Sequence, residues 1–414
     1  MSLAEPRVRR NIIRQNSRSL LEQTIRRSEL REIELTWPDH GGHARGRRLP
    51  ASSFVGRVIE SGLPVDPGSF RGAGSREESP APVVAVADSA TFRRLPWRER
   101  TGHVIADIVT PDRDVVPTPR SVLRTTVDHL SRLGLSAVIR ATPEGYALTA
   151  AGTPLAGPGR RDSLSGANRI NDVLEPLTAG LAGFVPVAAV ATTDGPGGFA
   201  VTLPGATPLD AADDAFRLVY ALDELSRRSG STVTLATPDP SLPPTSMHLQ
   251  VSLWSDDQPV FGRGAREASG IGLRVTDGVR NRLPALTLFS SSFDGTEAGE
   301  PVTWEADPRP IDDEPLHDWP AAAQVGLRVA ATAEPHWAVA SLLAAVVIGL
   351  DPEAATDADG STERPASLAD AIDVTTADED LVAILGRDAV TAYAAHAQSE
   401  WLARTTDATR TGIA

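Results

Sequence analysis

The chain has 414 residues, of which 41% are hydrophobic and 23% charged, and this size and composition predict two or three ordinary soluble domains. It contains no cysteine, which excludes disulfides, thiolate nucleophiles and metal sites that need cysteine ligands. All 40 cationic residues are arginine, so phosphate loops, Schiff bases and general bases that depend on lysine are excluded as well.

The net charge of −14 at neutral pH argues against nucleic acid as the main partner. The first 48 residues nevertheless hold 11 arginines against 6 acidic residues, so this segment is either a basic arm or a solvated helix face. The start has no apolar segment of the signal-peptide type, and no run of 18 apolar residues occurs anywhere. We therefore expect a cytoplasmic protein with no membrane partner.

The first predicted element is an arginine-rich amphipathic helix over residues 11–27, so that residues 1–28 form a helical arm. A β-like run follows from Leu30 to Trp37. The next segment, Asp39 to Pro50, is rich in turn residues and has two histidines close to an aspartate. This pattern indicates either a loop or a metal site, and the glycines favour the loop.

Residues Gly62 to Pro82 are dominated by glycine, proline and serine and show no periodicity, which predicts a mobile loop or linker. Strands are predicted after it at Val83 to Val86 and at His103 to Ile108. We expect the first domain to end near residue 110.

The second part of the chain mixes strands and helices with long irregular loops and contains no internal repeat. Thr118 followed by Pro119 predicts a helix start, because a capping side chain and then proline at the first helical position are favourable, and Gly134 ends this helix. Further helices are predicted at about Gly166 to Ala179, Leu209 to Ser229 and Glu334 to Ile348. Strands are predicted at Ala137 to Ala141, Phe199 to Leu203, His248 to Trp254 and Val325 to Val329.

One strand carries the most informative pattern. From Thr245 to Trp254 apolar and polar residues alternate, so that Met247 and Leu249 face one way while His248 and Gln250 face the other. The run resembles the G-S-G-M-H-x-H-Q-S-L strand of the glutamine synthetase family, in which the first histidine binds a catalytic divalent metal and the second contacts substrate. His248 matches the first histidine, and Gln250 stands at the position of the second.

Other segments carry the same resemblance over nearly the whole chain. Asp39 to Pro50 is similar to the family's W-x-D-x-x-G-x-x-R-G-K-x-x-P hairpin, and residues 364–401 are similar to its closing helices. The resemblance implies an α+β fold, with a small N-terminal β-grasp domain at residues 29–110. A large glutamine-synthetase-type catalytic domain with an antiparallel sheet and flanking helices would follow at residues 111–414.

The resemblance also implies a reaction, in which ATP phosphorylates a glutamate carboxylate that ammonia or an amine then attacks. Two divalent cations, Mg²⁺ or Mn²⁺, would hold the phosphates, and such hard cations need several carboxylate ligands. Only Glu144 remains of the family's E-x-E pair, and Thr193, Gly198 and Ala200 replace Glu, Gln and Glu of its E-x-G-P-G-Q-x-E motif. The strand Gln324 to Arg328, which corresponds to R-x-E-x-R, has no acid.

The run from Trp304 to Arg309 corresponds to the family's W-x-x-x-N-R motif and keeps its final arginine. The predicted site residues follow from these matches. His248 and Glu144 are the candidate metal ligands, with a hydrogen-bonded strand histidine and a solvated turn acid as the alternatives, and Asp194 could replace the acid lost at Thr193. Arg309 and Arg328 are the candidate nucleotide contacts, and Gln250 and Gly197 would line a substrate pocket. No residue is assigned a catalytic role.

Three functions therefore compete. The first is a pseudoenzyme with a structural, regulatory or binding role, for which we expect no cofactor. The second is an active ligase joining glutamate to an amine, with ATP and Mg²⁺ or Mn²⁺ and with Asp194 or Glu305 as rearranged ligands. The third is a binding module that holds a small anion or amine with Arg309 and Arg328. The resemblance implies a hexameric or dodecameric homo-oligomeric ring, or co-assembly with an active homologue.

Overall fold

The structure is a computed structural model that describes residues 18–68, 82–155, 159–181, 183–229, 231–256, 258–262, 269–290, 324–351 and 365–411. The predicted arm is helical over its described part, residues 18–27, which we call α1. The described part of the chain builds two separate hydrophobic cores, and we call the part that builds the smaller one the small domain. Leu21 and Ile25 of α1 are buried in this smaller core. This part of the arm therefore packs on the sheet that follows it.

Six strands form the sheet of the small domain, in the order β2-β1-β6-β4-β3 with β5 paired to β6. β1 and β6 are parallel, and the other pairs are antiparallel. The strands are β1 (Glu32–Pro38), β2 (Ala44–Pro50), β3 (Leu63–Val65), β4 (Val83–Ala87), β5 (Arg93–Arg94) and β6 (Thr101–Val109).

A helix, α2, connects β2 to β3 and was not predicted from the sequence. It consists of Ala51–Ser53, a π-helical turn at Phe54–Val58 and Ile59–Ser61, and it buries Phe54, Val58 and Ile59 in the small core. The helix ends at Gly62, whose φ of +79° suits glycine. The predicted loop from Gly62 is wrong over β3, which follows at once and pairs with β4; residues 69–81 of that prediction lie outside the described residues.

We call the part of the chain that builds the larger core the large domain. It contains a seven-stranded sheet in which every pair of named strands is antiparallel. Its main path runs β12-β11-β7-β9-β8, while β10 pairs with β7 and β13 with β11. The strands are β7 (Ser136–Leu148), β8 (Ala189–Thr192), β9 (Gly198–Thr202), β10 (Thr232–Thr234), β11 (Ser246–Ser255), β12 (Gln258–Pro259) and β13 (Val325–Ala330).

Helices cover the apolar face of this sheet, and together they bury one large core. The helix α9 is apolar around most of its circumference and is buried over almost its whole length. The helices are α3 (Pro119–Arg132), α4 (Leu164–Arg169), α5 (Asn171–Glu175), α6 (Pro208–Ser229), α7 (Gly270–Asn281), α8 (Leu283–Ser290), α9 (Pro335–Leu350), α10 (Leu368–Ala377), α11 (Glu379–Leu385) and α12 (Arg387–Thr411). No helix in the described part of the chain is long and apolar enough to cross a membrane.

Most predicted elements of this domain are present. α3 begins at Thr118, whose hydroxyl accepts from the Ser121 N–H, and Gly134 follows its end with φ of +75°. The single helix predicted from Gly166 is wrong: α4 ends at Arg169, and α5 continues into a π-helical turn at Pro176–Gly180. Proline inside the predicted helix removes a backbone donor, which accounts for the irregular turn.

The two domains meet at a cluster of charges around the buried Arg120 of α3. Arg120 donates two hydrogen bonds of 2.9 Å to Asp213 of α6 and others to Asp88 and Asp107 of the small domain. Arg124, one turn later, contacts the same two small-domain carboxylates at 3.2 and 3.0 Å. Burial would lower the pKa of Arg120, but the carboxylates outweigh it and hold that pKa well above its usual range. The cluster ties the small domain to α3 and α6.

The turn between β1 and β2 makes a second contact with the large domain. Asp39 accepts hydrogen bonds of 2.9 Å from the N–H groups of Gly41 and His43, so its carboxylate organises the turn. His40 packs near the ring of Trp337 in α9, whose Nε1 donates to His40 Nδ1 at 3.3 Å. These contacts favour the loop interpretation of this segment over a metal site.

Candidate functional site

Three strands of the large sheet carry a polar face opposite the core. On β11 the apolar residues Met247, Leu249 and Val251 point into the core, as the alternation predicted, so the residues between them lie on the other side. The same alternation holds on β7 and β13. We call the resulting surface the site face; it consists of Arg140, Thr142, Glu144, Ser246, His248, Gln250, Gly326 and Arg328.

The strand register sets the order of these side chains. His248 lies opposite Thr142 on one side and Arg328 on the other. Gln250 is flanked in the same way by Arg140 and Gly326. Neighbouring rows of a sheet bring such side chains close together, so the predicted residues His248, Gln250 and Arg328 share one surface.

Glu144 is the one carboxylate of the site face, and both of its oxygens have protein partners. Oε1 accepts from Arg161 Nη2 at 3.3 Å. Oε2 accepts from the backbone N–H and the hydroxyl of Ser246 at 3.2 and 2.9 Å. Arg328 donates to the same hydroxyl at 3.3 Å, so Glu144 and Arg328 are linked through Ser246.

A small cavity of about 50 Å³ opens beside Glu144. Such a volume holds a few water molecules or a small ion. Tyr146 lies in its wall and donates to the carbonyl of Pro243 at 2.7 Å. Burial, with the negative charges of Glu144 and Asp194, raises the pKa of Tyr146 to about 12, so this phenol stays protonated. The cavity is lined by Glu144, Tyr146, Arg161, Thr193, Asp194, Pro243, Pro244 and Thr245.

The positions where the resemblance places further carboxylates do lie around this surface, but they carry other residues. Ala200 pairs directly with Glu144, and Thr193 is in the cavity wall. Gly326 lies beside His248: a Cβ added there would be 2.8 Å from Nε2 of that ring. Within the described ranges, no group of three or more His, Asp or Glu side chains is placed to hold a metal ion. One imidazole and one satisfied carboxylate do not fit two octahedral sites of Mg²⁺ or Mn²⁺.

Two other predicted site residues have different outcomes. Gly197 has φ of +74°, and a Cβ there would be 2.5 Å from the Ala147 carbonyl oxygen, so the turn requires glycine on structural grounds. Its place in a substrate pocket stays a prediction. Arg309 lies outside the described residues, as does Glu305.

Comparison with known proteins agrees with this architecture. A family model described as "Glutamine synthetase, catalytic domain" matches residues 117–413. The chain belongs to the glutamine synthetase family. The small domain and the arm lie outside the stretch that the family model matches.

Individual members of the glutamine synthetase family are distant relatives of this chain. It is 24% identical over 334 residues to a glutamine synthetase of Pyrococcus abyssi, covering 77% of this chain and 74% of that protein. It is 24% identical over 369 residues to a glutamate–isopropylamine ligase of a Pseudomonas species, covering 79% of each. The solved structure of ligand-free GmaS superposes with a TM-score of 0.78 at 18% identity, over 93% of this chain and 96% of that one.

Two arginines of the site were not predicted. Arg140 falls within the segment matched to the family's E-x-E-F strand, and only the register with Gln250 reveals that it joins the site face. Arg161 lies in a glycine- and proline-rich stretch that has no periodicity, so nothing in the sequence indicates that it reaches Glu144. Arg160 and Arg161 are adjacent there, but a solvated loop explains this pair equally well.

Proposed function

We propose that this chain is a member of the glutamine synthetase family that does not catalyse ATP-dependent ligation and that keeps the fold for a structural, regulatory or binding role. The observation that carries the proposal is the composition of the site face, which has one carboxylate where the reaction needs several. Thr142, Ala200 and Gly326 surround Glu144 and His248 without supplying an oxygen anion. With fewer anionic ligands, two divalent cations and a triphosphate cannot be held together there.

Phosphate release tests this proposal directly. The chain is incubated with ATP, Mg²⁺ or Mn²⁺, glutamate and ammonia, ethanolamine or isopropylamine. We expect no phosphate release above the level seen without glutamate, whereas an active glutamine synthetase in the same buffer releases phosphate. Glutamate-dependent release that disappears in Glu144→Gln and His248→Ala variants would contradict the proposal.

An active glutamate–amine ligase is the second candidate, and the relatives favour it. One of them is named a glutamate–isopropylamine ligase and aligns with 79% of this chain. Under this alternative, metal ligands would come from residues other than those of the site face, such as Asp194 or Glu305. Loss of the phosphate release on Asp194→Asn or Glu305→Gln would support it over the first proposal.

A small-anion binding module is the third candidate, and the arginines of the site face favour it. Arg140 and Arg328 flank the row of Gln250 and His248, so the face carries more positive than negative charge. A carboxylate or phosphate group would be attracted there without a metal ion. A melting-temperature increase in the presence of glutamate or phosphate, lost in Arg140→Gln, would support this function.

We also propose the family's assembly for this chain: a homo-oligomeric ring of six or twelve subunits, or co-assembly with an active homologue, in the cytoplasm. The mixed sheet of the small domain, with parallel β1 and β6 and helix α2 packed against it, is compatible with the family's β-grasp domain. We propose no nucleic-acid partner, since the chain carries a net charge of −14, and no membrane partner, since its sequence has no run of 18 apolar residues.

A further inference from the structure

The segment that carries Arg161 is held across the site by backbone and hydroxyl contacts. Asp162 N–H donates to the Thr192 carbonyl oxygen at 2.9 Å, and Ser163 N–H donates to the Thr192 hydroxyl at 2.8 Å. That hydroxyl in turn donates to the carbonyl of Arg160 at 2.9 Å. Residues 160–163 are thus fastened to the end of β8, and Arg161 projects from a fixed position.

From this position the guanidinium of Arg161 lies between two carboxylates. Nη2 is 3.3 Å from Glu144 Oε1, and Nε is 3.7 Å from Asp194 Oδ2. The backbone N–H of Arg161 also donates to Asp194 Oδ1 at 3.3 Å. The side chain of Glu144 is 13% exposed, and its Oε2 accepts a hydrogen bond from the Ser246 hydroxyl. Both carboxylate oxygens therefore already have hydrogen-bond partners.

We infer that the Arg161 guanidinium takes the place of a divalent cation at Glu144 and keeps metal ions out of this part of the site. The inference rests on the proposed function, because it explains how the site is stabilised once the metal ligands are gone. A guanidinium is permanently charged and forms directed hydrogen bonds to carboxylates. A metal ion arriving at Glu144 would have to displace this bond against the repulsion of a like charge a few Å away.

Removing the charge should therefore uncover a weak cation site. Glu144 and Asp194 would then face each other across the cavity with no compensating positive charge between them. Two carboxylates with water as the remaining ligands bind Mn²⁺ weakly, since each lost oxygen ligand lowers the affinity. The gain in Mn²⁺ affinity should depend on removal of the positive charge. A lysine at position 161 keeps that charge and should not produce the gain.

Titration with Mn²⁺, monitored by electron paramagnetic resonance, measures the affinity of the chain for this ion. We expect Arg161→Gln to bind Mn²⁺ at least about tenfold more tightly than the wild type, because a like charge has been removed. Arg161→Lys and the matched neighbour variant Arg160→Gln should behave like the wild type. The double variant Arg161→Gln/Glu144→Gln should lose the gain. Arg161 is about half exposed, so the variants are expected to fold, and circular dichroism checks this.

The outcomes separate the two proposals. If Arg161→Gln folds and shows no gain in Mn²⁺ affinity, the inference about Arg161 is wrong while the proposed non-catalytic function stands. An equal gain in Arg160→Gln also overturns the inference, because it would show a general charge effect. If the wild type already binds Mn²⁺ through Glu144 and releases phosphate from ATP with glutamate, both proposals are wrong.

Discussion

Arg120 shows how a single residue secures the junction between the domains. It is 1% exposed, and its guanidinium contacts carboxylates from α6 and from two places in the small domain. The free energy that burial of this charge would cost is offset by these contacts, because each partner is anionic and hydrogen-bonded. The sequence marks this residue only as the second position of a helix.

Replacement of Arg120 by methionine tests how much this residue stabilises the junction between the domains. We expect Arg120→Met to lower the free energy of unfolding by about 3–5 kcal/mol, since it removes both guanidinium hydrogen bonds from the buried carboxylate of Asp213. Arg124→Met is the matched control: its side chain is 37% exposed and contacts two of the same carboxylates, so we expect a loss below about 1 kcal/mol. Urea denaturation measures both values, and equal losses in the two variants would contradict the account.

His248 is the residue on which sequence and structure agree most closely about position. Its place on the polar face of β11, together with Gln250, follows from the alternation of the strand, whereas its pairing with Arg328 follows from the register with β13. The lack of an acid at Gly326 was also visible in the sequence. The sequence could not show that Glu144 is engaged by Arg161, because that contact depends on how an irregular loop packs.

We expect His248→Ala to leave secondary structure unchanged and to lower the free energy of unfolding by about 1–2 kcal/mol, because it removes the contacts of a half-buried ring. Metal content of the purified protein, measured by elemental analysis, should be the same in the variant and the wild type. A bound metal that disappears with the histidine would show that His248 is a working ligand.

At the scale of elements, the start of α9 depends on an imidazole that is fully buried. Glu334 caps the helix by accepting from the Trp337 N–H at 2.7 Å, and its other oxygen is 2.7 Å from His336 Nδ1. His336 Nε2 is 3.0 Å from Asp213, which ties α9 to α6. Burial disfavours the charged ring, but the two carboxylates outweigh it and raise the pKa of His336 to about 9.

This raised pKa predicts a pH dependence of stability. Because the folded-state pKa lies above the unfolded value of 6.5, the stabilisation is complete below pH 6.5 and is lost as the pH rises through about 9. The loss amounts to about 3 kcal/mol, which is the free energy that corresponds to a pKa difference between 6.5 and about 9. Urea denaturation between pH 6 and 9.5 measures it. In His336→Gln the free energy of unfolding should depend less on pH over this range. A variant with the same pH dependence as the wild type would contradict the role given to His336.

Element boundaries were predicted well where a physical signal is local. Thr118 and Pro119 mark the start of α3, and the apolar stretch after Glu334 marks α9. α2, α7 and α8 were not predicted. α2 contains a π-helical turn, which has no 3.6-residue period in sequence. β7 extends well beyond the predicted end at Ala141, because tertiary pairing with β9 and β10 holds Glu144 to Leu148 in the sheet.

At the scale of the whole molecule, the family's fold could be predicted from motif resemblance, and the family model confirms the assignment over residues 117–413. The polar face around His248 could be placed in the same way. The charge clusters could not, because Arg120 and Asp213 are 93 residues apart, and Arg161 is separated from Glu144 by the end of β7 and a stretch of sequence without periodicity. Such contacts follow from the packing of complete elements.

We expect the purified chain to form a closed ring, since the family resemblance implies that neighbouring subunits complement each other in an assembly. Light scattering at micromolar concentration should give the mass of six or twelve subunits. Measurement at low and moderate salt controls for assembly by surface charge alone. A monomeric mass in both buffers would contradict the prediction.

The most direct test of the central claim is the melting temperature with ATP and Mg²⁺ or Mn²⁺. A ligand at a hundredfold excess over its Kd stabilises the native state by about 2.7 kcal/mol. For a domain of this size that corresponds to an increase of about 5 to 10 °C. Because the site face has a single carboxylate, already bound by Arg161 and Ser246, we predict no increase at millimolar nucleotide that depends on the metal. Nucleotide without metal is the control. An increase of several degrees that requires the divalent ion would contradict the account.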